Sequence, residues 1–178
     1  MIINVIVGVQ EEHIAMLDPV IEALINTIIA TVEKCGMEIK TINDEIMIVE
    51  KNAVAIEVAD KVPELADIII EYNHYLLKGD LNRKKELLKR IADALEPERK
   101  ELNGINKSAT DDFFFMVNNW NIRHNNCNPN DAKNYNSKFD SFSTAQKEEC
   151  YDLVYEQGLA LYVMKEQLGR TKKIDSLK

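Results

Sequence analysis

The chain of 178 residues is long enough for one domain with a hydrophobic core and too short for two of ordinary size. Its small numbers of glycines (6) and prolines (4) favour helices over an all-β design. Because the formal net charge is -8, general electrostatic attraction to nucleic acid or to an anionic membrane is not expected. The acidic excess lies in residues 1–77, so an anion site is expected after residue 77, where basic and acidic side chains are nearly balanced.

The three cysteines, Cys35, Cys127 and Cys150, are far apart and form no C-x-x-C pair. This usage predicts a reducing compartment without structural disulfides or a zinc knuckle. The N-terminus lacks a basic segment and a cleavage site, and no long uncharged apolar run follows it. We therefore expect a cytoplasmic protein without membrane association, and no motif indicates a cofactor or a metal.

Residues 1–36 are predicted to form N-terminal helices, of which the second is the clearer. Asp18 suits its N-cap, Pro19 its first helical position and Gly36 the left-handed residue after its end. Residues before Asp18 are expected to form a shorter helix. The apolar residues at helical spacing are Ile21, Leu24, Ile25, Ile28, Ile29, Val32 and Cys35.

In residues 37–59 the spacing of the apolar residues changes from the helical period to alternation. This pattern predicts a three-stranded antiparallel β-meander. Polar pairs of residues separate the runs MEIKTI, EIMIVE and AVAIEV, and Val54, Ile56 and Val58 alternate strictly in the third. A helix over residues 44–59 is the alternative. We favour the meander because β-branched residues dominate and the polar pairs fall where hairpins need turns.

Residues 60–168 predict a helical bundle, and residues 169–178 a fraying tail. The first helix runs from Pro63 to Gly79, Asp80 caps the second, and Ser108 with Asp111 are spaced as a capping box for the third. The second helix is expected to extend past Pro97 to Leu102, and the last to span Thr144–Leu168. The predicted inward faces are Leu65, Ile68, Ile69, Tyr72 and Leu76; Leu81, Leu88, Ile91 and Leu95; Phe113, Met116, Val117 and Trp120; and Cys150, Leu153, Val154, Leu161 and Met164.

The whole chain is thus predicted to be one mainly helical α+β domain. Its second bundle helix contains the basic run LNRKKELLKR, with cations at helical spacing. A solvated helix face is the simpler interpretation of this run. A strip of lysines and arginines that follows the phosphates of a nucleic acid is the functional alternative.

The stretch NNWNIRHNNCNPNDAKNY, residues 118–135, contains the only tryptophan, an Arg-His pair and many asparagines. Asparagine favours turns because its short amide bonds to nearby backbone groups. One interpretation is a structural loop in which Arg123 pairs with a carboxylate and the amides bond to backbone. The other is an anion site in which Arg123 and His124 are accessible and the amides bind phosphate or sugar oxygens.

The second part of the chain resembles the HEPN domains, which are helical bundles of phage-defence, abortive-infection and toxin systems. The resemblance lies in the order of three segments: the helix rich in aromatic residues, then NIRHNN, then the long helix CYDLVYEQGLALYVM. The resemblance covers residues 60–168. Many HEPN proteins are metal-independent ribonucleases that carry an arginine and a histidine separated by four to six residues. Arg123 matches the signature arginine and His124 the polar residue that follows it, whereas positions 128–130 hold Asn, Pro and Asn instead of the histidine.

The resemblance implies a ribonuclease of a phage-defence or toxin-antitoxin system. Arg123 would stabilise the phosphorane charge and His124 would move the proton. Asn119, Asn125 and Asn126 would bind the substrate, and Trp120 would stack on a base, although a place in the core is its ordinary role.

Because adjacent side chains point in different directions, we expect a homodimer that brings two Arg123 loops together, as is common among HEPN proteins. The alternative function is a non-catalytic HEPN-like module that binds RNA, a nucleotide or a protein partner such as an antitoxin.

Overall fold

A computed structural model describes residues 19–42 and 45–178. This part of the chain is mainly helical, with one antiparallel sheet of two strands. The helices are α1 (Pro19–Lys34), α2 (Ala53–Lys61), α3 (Pro63–Tyr72), α4 (Leu81–Leu95), α5 (Arg99–Asn119), α6 (Ser137–Asp140) and α7 (Thr144–Asp175); the strands are β1 (Met37–Ile42) and β2 (Glu45–Glu50). Short 3-10 turns occupy Tyr75–Leu77 and Glu96–Glu98.

The described residues form two compact units. The first unit comprises the described residues up to Ala53 together with Asn73–Leu76, and the second comprises Val54–Tyr72 and Leu77–Lys178. The expectation of a single domain stays a prediction.

In the first unit, α1 and a β-hairpin confirm the predicted elements. Gly36 ends α1 with a φ of 75°, the left-handed conformation expected of it. The two strands pair with Met37 opposite Glu50, and α1 packs against β1. The predicted cap at Asp18 and the shorter helix before it lie outside the described residues.

The prediction of a third strand is wrong, because residues 53–61 form helix α2. Ala55 and Val58 are buried, and Val62 packs against the same core four residues later. Val54 and Ile56, which set the apparent alternation, are exposed. Burial therefore follows the helical spacing of three and four residues rather than the period of two. The alternative prediction, one helix over residues 44–59, is also wrong in its first half, because Glu45–Glu50 form strand β2.

In the second unit, α7 packs against both α4 and α5, and α3 packs against α4. Most of the predicted inward residues are buried or pack against this core. Two of the predicted residues are not: Leu153 of α7 is 48% exposed, and Leu76, which belongs to the first unit, is 67% exposed. Among the described residues, no helix is both long and apolar enough to cross a membrane.

The structure corrects four predicted helix ends. Helix α3 ends at Tyr72 instead of Gly79, and a 3-10 turn follows at Tyr75–Leu77. Helix α4 ends at Leu95, and α5 begins at Arg99 after the turn that contains Pro97. Helix α5 is kinked at Asn106 (φ -150°, ψ 92°), and the Asn106 carboxamide accepts a hydrogen bond from the Ala109 N–H at 3.0 Å. Asn106 therefore provides the cap that was predicted for Ser108. Helix α7 continues to Asp175 instead of ending at Leu168.

Candidate functional site

The loop between α5 and α6 is held together by asparagine side chains. Asn126 is only 2% exposed; its Oδ1 accepts from the Asn121 N–H at 2.8 Å, and its Nδ2 donates to the Asn134 carbonyl at 2.5 Å. Asn136 donates to the Asn119 carbonyl at 3.0 Å and caps α6 by accepting from the Phe139 N–H at 3.1 Å. These amides replace the hydrogen bonds that a helix or sheet would provide to the backbone.

The Arg123 guanidinium is held by the C-terminal end of α4. Nη1 donates to the Glu96 carboxylate, while Nη2 donates to the Ala92 carbonyl at 3.0 Å and to Asp93 Oδ1 at 3.2 Å. The ring of Phe114 lies 5.7 Å from the guanidinium carbon. The side chain is 19% exposed, and its hydrogen bond lowers the pKa of Glu96. Both carboxylates neutralise the cation, so Arg123 acts as a clamp between the loop and α4.

The other predicted site residues do not converge on Arg123. His124 and Asn125 are exposed, and in the described structure no hydrogen bond joins His124 to Arg123. Asn119 donates to the Phe115 carbonyl at 2.8 Å. Trp120 packs against the core, with its ring parallel to that of Phe139 at 6.4 Å between centroids. Arg123, Asn119 and Asn126 therefore make the contacts expected of a structural loop, whereas His124 and Asn125 remain accessible.

No protein-family model, curated protein or solved structure matches the chain. The resemblance to HEPN domains therefore stays a prediction drawn from residues 60–168.

The basic run of α4 does not form one solvated face. Arg83 is paired with Glu71 of α3 and with Glu86. Lys84 is buried, and its ammonium contacts Asp152 Oδ1 at 2.7 Å and Glu148 Oε1 at 2.9 Å. The run therefore divides into paired cations at its beginning and the cations that follow them: Lys85, Lys89 and Arg90.

The two carboxylates that contact Lys84 accept further hydrogen bonds. Asp152 also accepts from the Tyr72 hydroxyl at 2.9 Å, and Glu148 accepts from the Gly79 N–H at 2.7 Å. Although burial opposes the charge, the two carboxylates raise the pKa of Lys84. Such a network stabilises a charged lysine and leaves it poorly suited to act as a base or nucleophile.

A second polar cluster surrounds Cys127. Lys85 Nζ donates to Asn121 Oδ1 at 3.3 Å. Lys147 Nζ donates to the Asp140 carbonyl at 3.0 Å. Both ammonium groups act electrostatically on the Cys127 thiol, whose pKa burial raises. Burial also raises the pKa of Tyr151 to about 12 and lowers that of Lys85.

No motif in the sequence groups these residues. They come from α4, the asparagine loop and α7, and no spacing in the sequence joins Lys85 to Lys147. Within residues 19–42 and 45–178, no three His, Cys, Asp or Glu side chains are grouped as metal ligands. The groups that act on the Cys127 thiol are two lysines and the Asp140 carboxylate.

Proposed function

We propose that the protein is a non-catalytic HEPN-like module that binds RNA, acting in a phage-defence or toxin system. The observation that carries the proposal is the pairing of Arg123 with Glu96 and Asp93. The helical unit and the loop ahead of the long α7 are compatible with an HEPN-like bundle.

Metal-independent cleavage of RNA needs a base, an acid and a cation for the phosphorane charge. Arg123 is the cation that the resemblance assigns, but two carboxylates already neutralise it. Stabilising a phosphorane would require breaking these pairs. His124 would be a single proton carrier, because positions 128–130 hold no histidine. These features support binding rather than cleavage.

RNA is favoured as the ligand because cations near the loop have no carboxylate partner within the described residues. Lys85 contacts an amide, Lys147 contacts a carbonyl, and the exposed Lys89 and Arg90 follow Lys85 on α4. Lysine and arginine supply most of the affinity for a phosphate backbone. The homodimer was expected because two chains would share a catalytic site. A binding module does not require such a site. The homodimer stays a prediction, and light scattering would measure the oligomeric state.

The test is a cleavage assay on purified protein with single-stranded RNA and a chelator, in parallel with a binding assay on the same RNA. We expect binding at low salt and intact RNA. The double variant Arg123→Ala, His124→Ala is the control for contaminating nucleases. Cleavage by the wild type that this folded variant lacks would overturn the non-catalytic assignment, and absence of binding would overturn the RNA assignment.

A further inference from the structure

The β-hairpin of the first unit has one edge that is paired and one that is not. On the β2 side, the Glu50 N–H donates to the Asn73 carbonyl at 2.9 Å, and Val49 forms an antiparallel bridge with His74. On the β1 side, no strand or bridge continues the sheet within the part of the chain that the structure describes. The outer side of β1 is therefore an edge at which another strand can pair.

The pairing with β2 determines which backbone groups of β1 point to this edge. The Gly36 carbonyl accepts from the Lys51 N–H at 3.0 Å, so it points toward β2. Along an antiparallel strand, the direction of the backbone hydrogen bonds alternates from one residue to the next. The N–H and C=O groups that point outward therefore belong to Met37, Ile39 and Thr41.

The charged side chains of β1 select one register for a second copy of the strand. Glu38 and Lys40 lie on the same face of the sheet, one residue on either side of Ile39. A two-fold axis at Ile39, perpendicular to the sheet, puts each Glu38 opposite the partner's Lys40. An axis at residue 38 or 40 would instead put like charges opposite each other. Opposite charges across an antiparallel pair stabilise it and like charges destabilise it, so the register centred on Ile39 is favoured.

The backbone and the Glu38 carboxylate suit the same register. Ile39 would face the partner's Ile39 as a hydrogen-bonded pair, because its N–H and C=O point outward. Glu38 and the partner's Lys40 would form a non-hydrogen-bonded pair, in which the Cα atoms lie about 4.5 Å apart and the side chains are closest. Within one chain, Glu38 Oε2 lies 3.5 Å from Lys40 Nζ, and the buried Oε1 accepts no hydrogen bond from the described residues. A second ammonium beside Glu38 would give this carboxylate a further donor.

Helix α1 carries exposed apolar side chains that the same dimer can cover. The helix packs against β1, yet Ile21, Leu24 and Ile28 are 43%, 53% and 39% exposed. Their spacing of three and four residues places them on one face of α1. The two-fold axis perpendicular to the sheet puts both copies of α1 on the same side of the sheet, so the partner's α1 is an apolar surface available to these side chains.

We propose that β1 is the interface of a homodimer. The β1 strands of two copies pair antiparallel about Ile39 and join the two hairpins into one four-stranded sheet. Each copy contributes the same surface, as in other two-fold dimers, and two pairs between Glu38 and the partner's Lys40 cross the axis. The Arg123 loop takes no part in this interface, and the inference does not depend on the RNA binding proposed above.

Charge reversal followed by analytical ultracentrifugation tests the interface. We expect the wild type to sediment as a dimer at the higher concentrations of a dilution series. Glu38→Lys and Lys40→Glu each put like charges opposite each other, and each should raise the dissociation constant of the dimer by about tenfold or more. An equimolar mixture of the two variants should restore the dimer, because every charge then faces an opposite charge on the partner strand.

Glu156→Lys and Lys100→Glu are the matched controls, because they change the net charge equally at exposed positions of α7 and α5. Both should dimerise like the wild type, and circular dichroism should show that all variants fold. Single reversals in β1 that dimerise as tightly as the wild type would place the dimer at another surface and refute the proposal. A wild type that stays monomeric, or a mixture that does not restore the dimer, would refute it as well.

Disulfide formation gives an independent readout of the register. With the axis at residue 39, the cysteines introduced by Ile39→Cys would face each other at about 5.5 Å between Cα atoms, which a disulfide can span. Met37→Cys is the control on the same face of the strand, because residue 37 would face residue 41 of the partner. Both substitutions are made with Cys35→Ser, which removes a nearby exposed thiol. We expect a covalent dimer on a non-reducing gel for Ile39→Cys alone; equal cross-linking of both variants, or of neither, would overturn the register.

Discussion

Arg123 and Glu96 form an ion pair that ties the loop after α5 to the end of α4. The same guanidinium donates to the carbonyl of Ala92, one of the last carbonyls of α4. The Ala92 carbonyl also accepts from the Glu96 N–H, and a cation is favourable at this end because the helix dipole places partial negative charge there. The loop thus supplies to α4 a cation that the helix sequence does not provide.

Replacement of Arg123 by Met should lower the free energy of unfolding by about 1–3 kcal/mol, because it removes the cation paired with Asp93 and Glu96 and one of the two hydrogen bonds to the Ala92 carbonyl. Urea denaturation followed by circular dichroism measures the effect. His124→Ala, at the exposed neighbouring position, should change stability by less than about 0.5 kcal/mol. Equal stability of the two variants would show that the clamp is energetically unimportant.

The Arg123–Glu96 pair should make stability depend on pH in the acid range. Arg123 lowers the pKa of folded Glu96 below its usual value of 4.5, so the unfolded state binds the proton more readily. The contribution is therefore fully present above the unfolded pKa and is lost as the pH falls through the folded pKa. The stability gap between wild type and Glu96→Gln should be constant from pH 7 to about 5 and narrow below it. A gap that widens in acid would contradict this assignment.

Removal of the buried cation at Lys84 should be more damaging than removal of an exposed one from the same helix. Lys84→Met leaves Asp152 and Glu148 facing each other without the ammonium, and we expect a loss of about 3–5 kcal/mol. Lys89→Met is the matched control and should stay within about 0.5 kcal/mol of the wild type. Chemical denaturation of both variants gives the comparison, and similar midpoints would argue against a structural role for the network.

Asn126→Ala should loosen the asparagine loop. The substitution leaves the Asn121 N–H and the Asn134 carbonyl without their partners, at a cost of about 1–3 kcal/mol. Hydrogen exchange of the Asn121 amide should accelerate. Asn125→Ala, at the exposed adjacent position, provides the comparison and should leave the exchange rate unchanged. Unaltered exchange in both variants would mean that the loop does not depend on the buried amide.

Two glycines of α7 should respond in opposite directions to alanine. A Cβ atom at Gly158 would lie 3.1 Å from Ile91 Cγ2 and 3.2 Å from Phe113 Cε2, whereas nothing lies within 4 Å of one at Gly169. Gly158→Ala should therefore destabilise the protein by about 1–3 kcal/mol through overpacking. Gly169→Ala should be neutral or stabilise it by up to about 1 kcal/mol through helix propensity. Thermal melts of the two variants measure these changes in stability. A rise in melting temperature for Gly158→Ala would contradict the overpacking and show that α7 can move away from Ile91 and Phe113.

Local sequence was sufficient where a structure depends on neighbouring residues alone. The end of α1 at Gly36 and the cap at Asp80, which accepts from the Arg83 N–H at 3.0 Å, were predictable because they depend on φ angles and short side chains. The pairing of β1 with β2 was predictable because β-branched residues dominate these two runs. The tendency of asparagine to bond to nearby backbone also indicated an ordered loop at residues 118–136.

Only the tertiary structure decided which of two locally acceptable patterns is used. Residues 53–61 alternate like a strand, but Ala55 and Val58 become buried only as a helix. Lys84 belongs to a basic run, yet its partners Glu148 and Asp152 lie more than sixty residues away in sequence. The same holds for Arg123 and its partners Asp93 and Glu96. Charge pairing and burial depend on distances in space, and these distances exist only after the helices have packed.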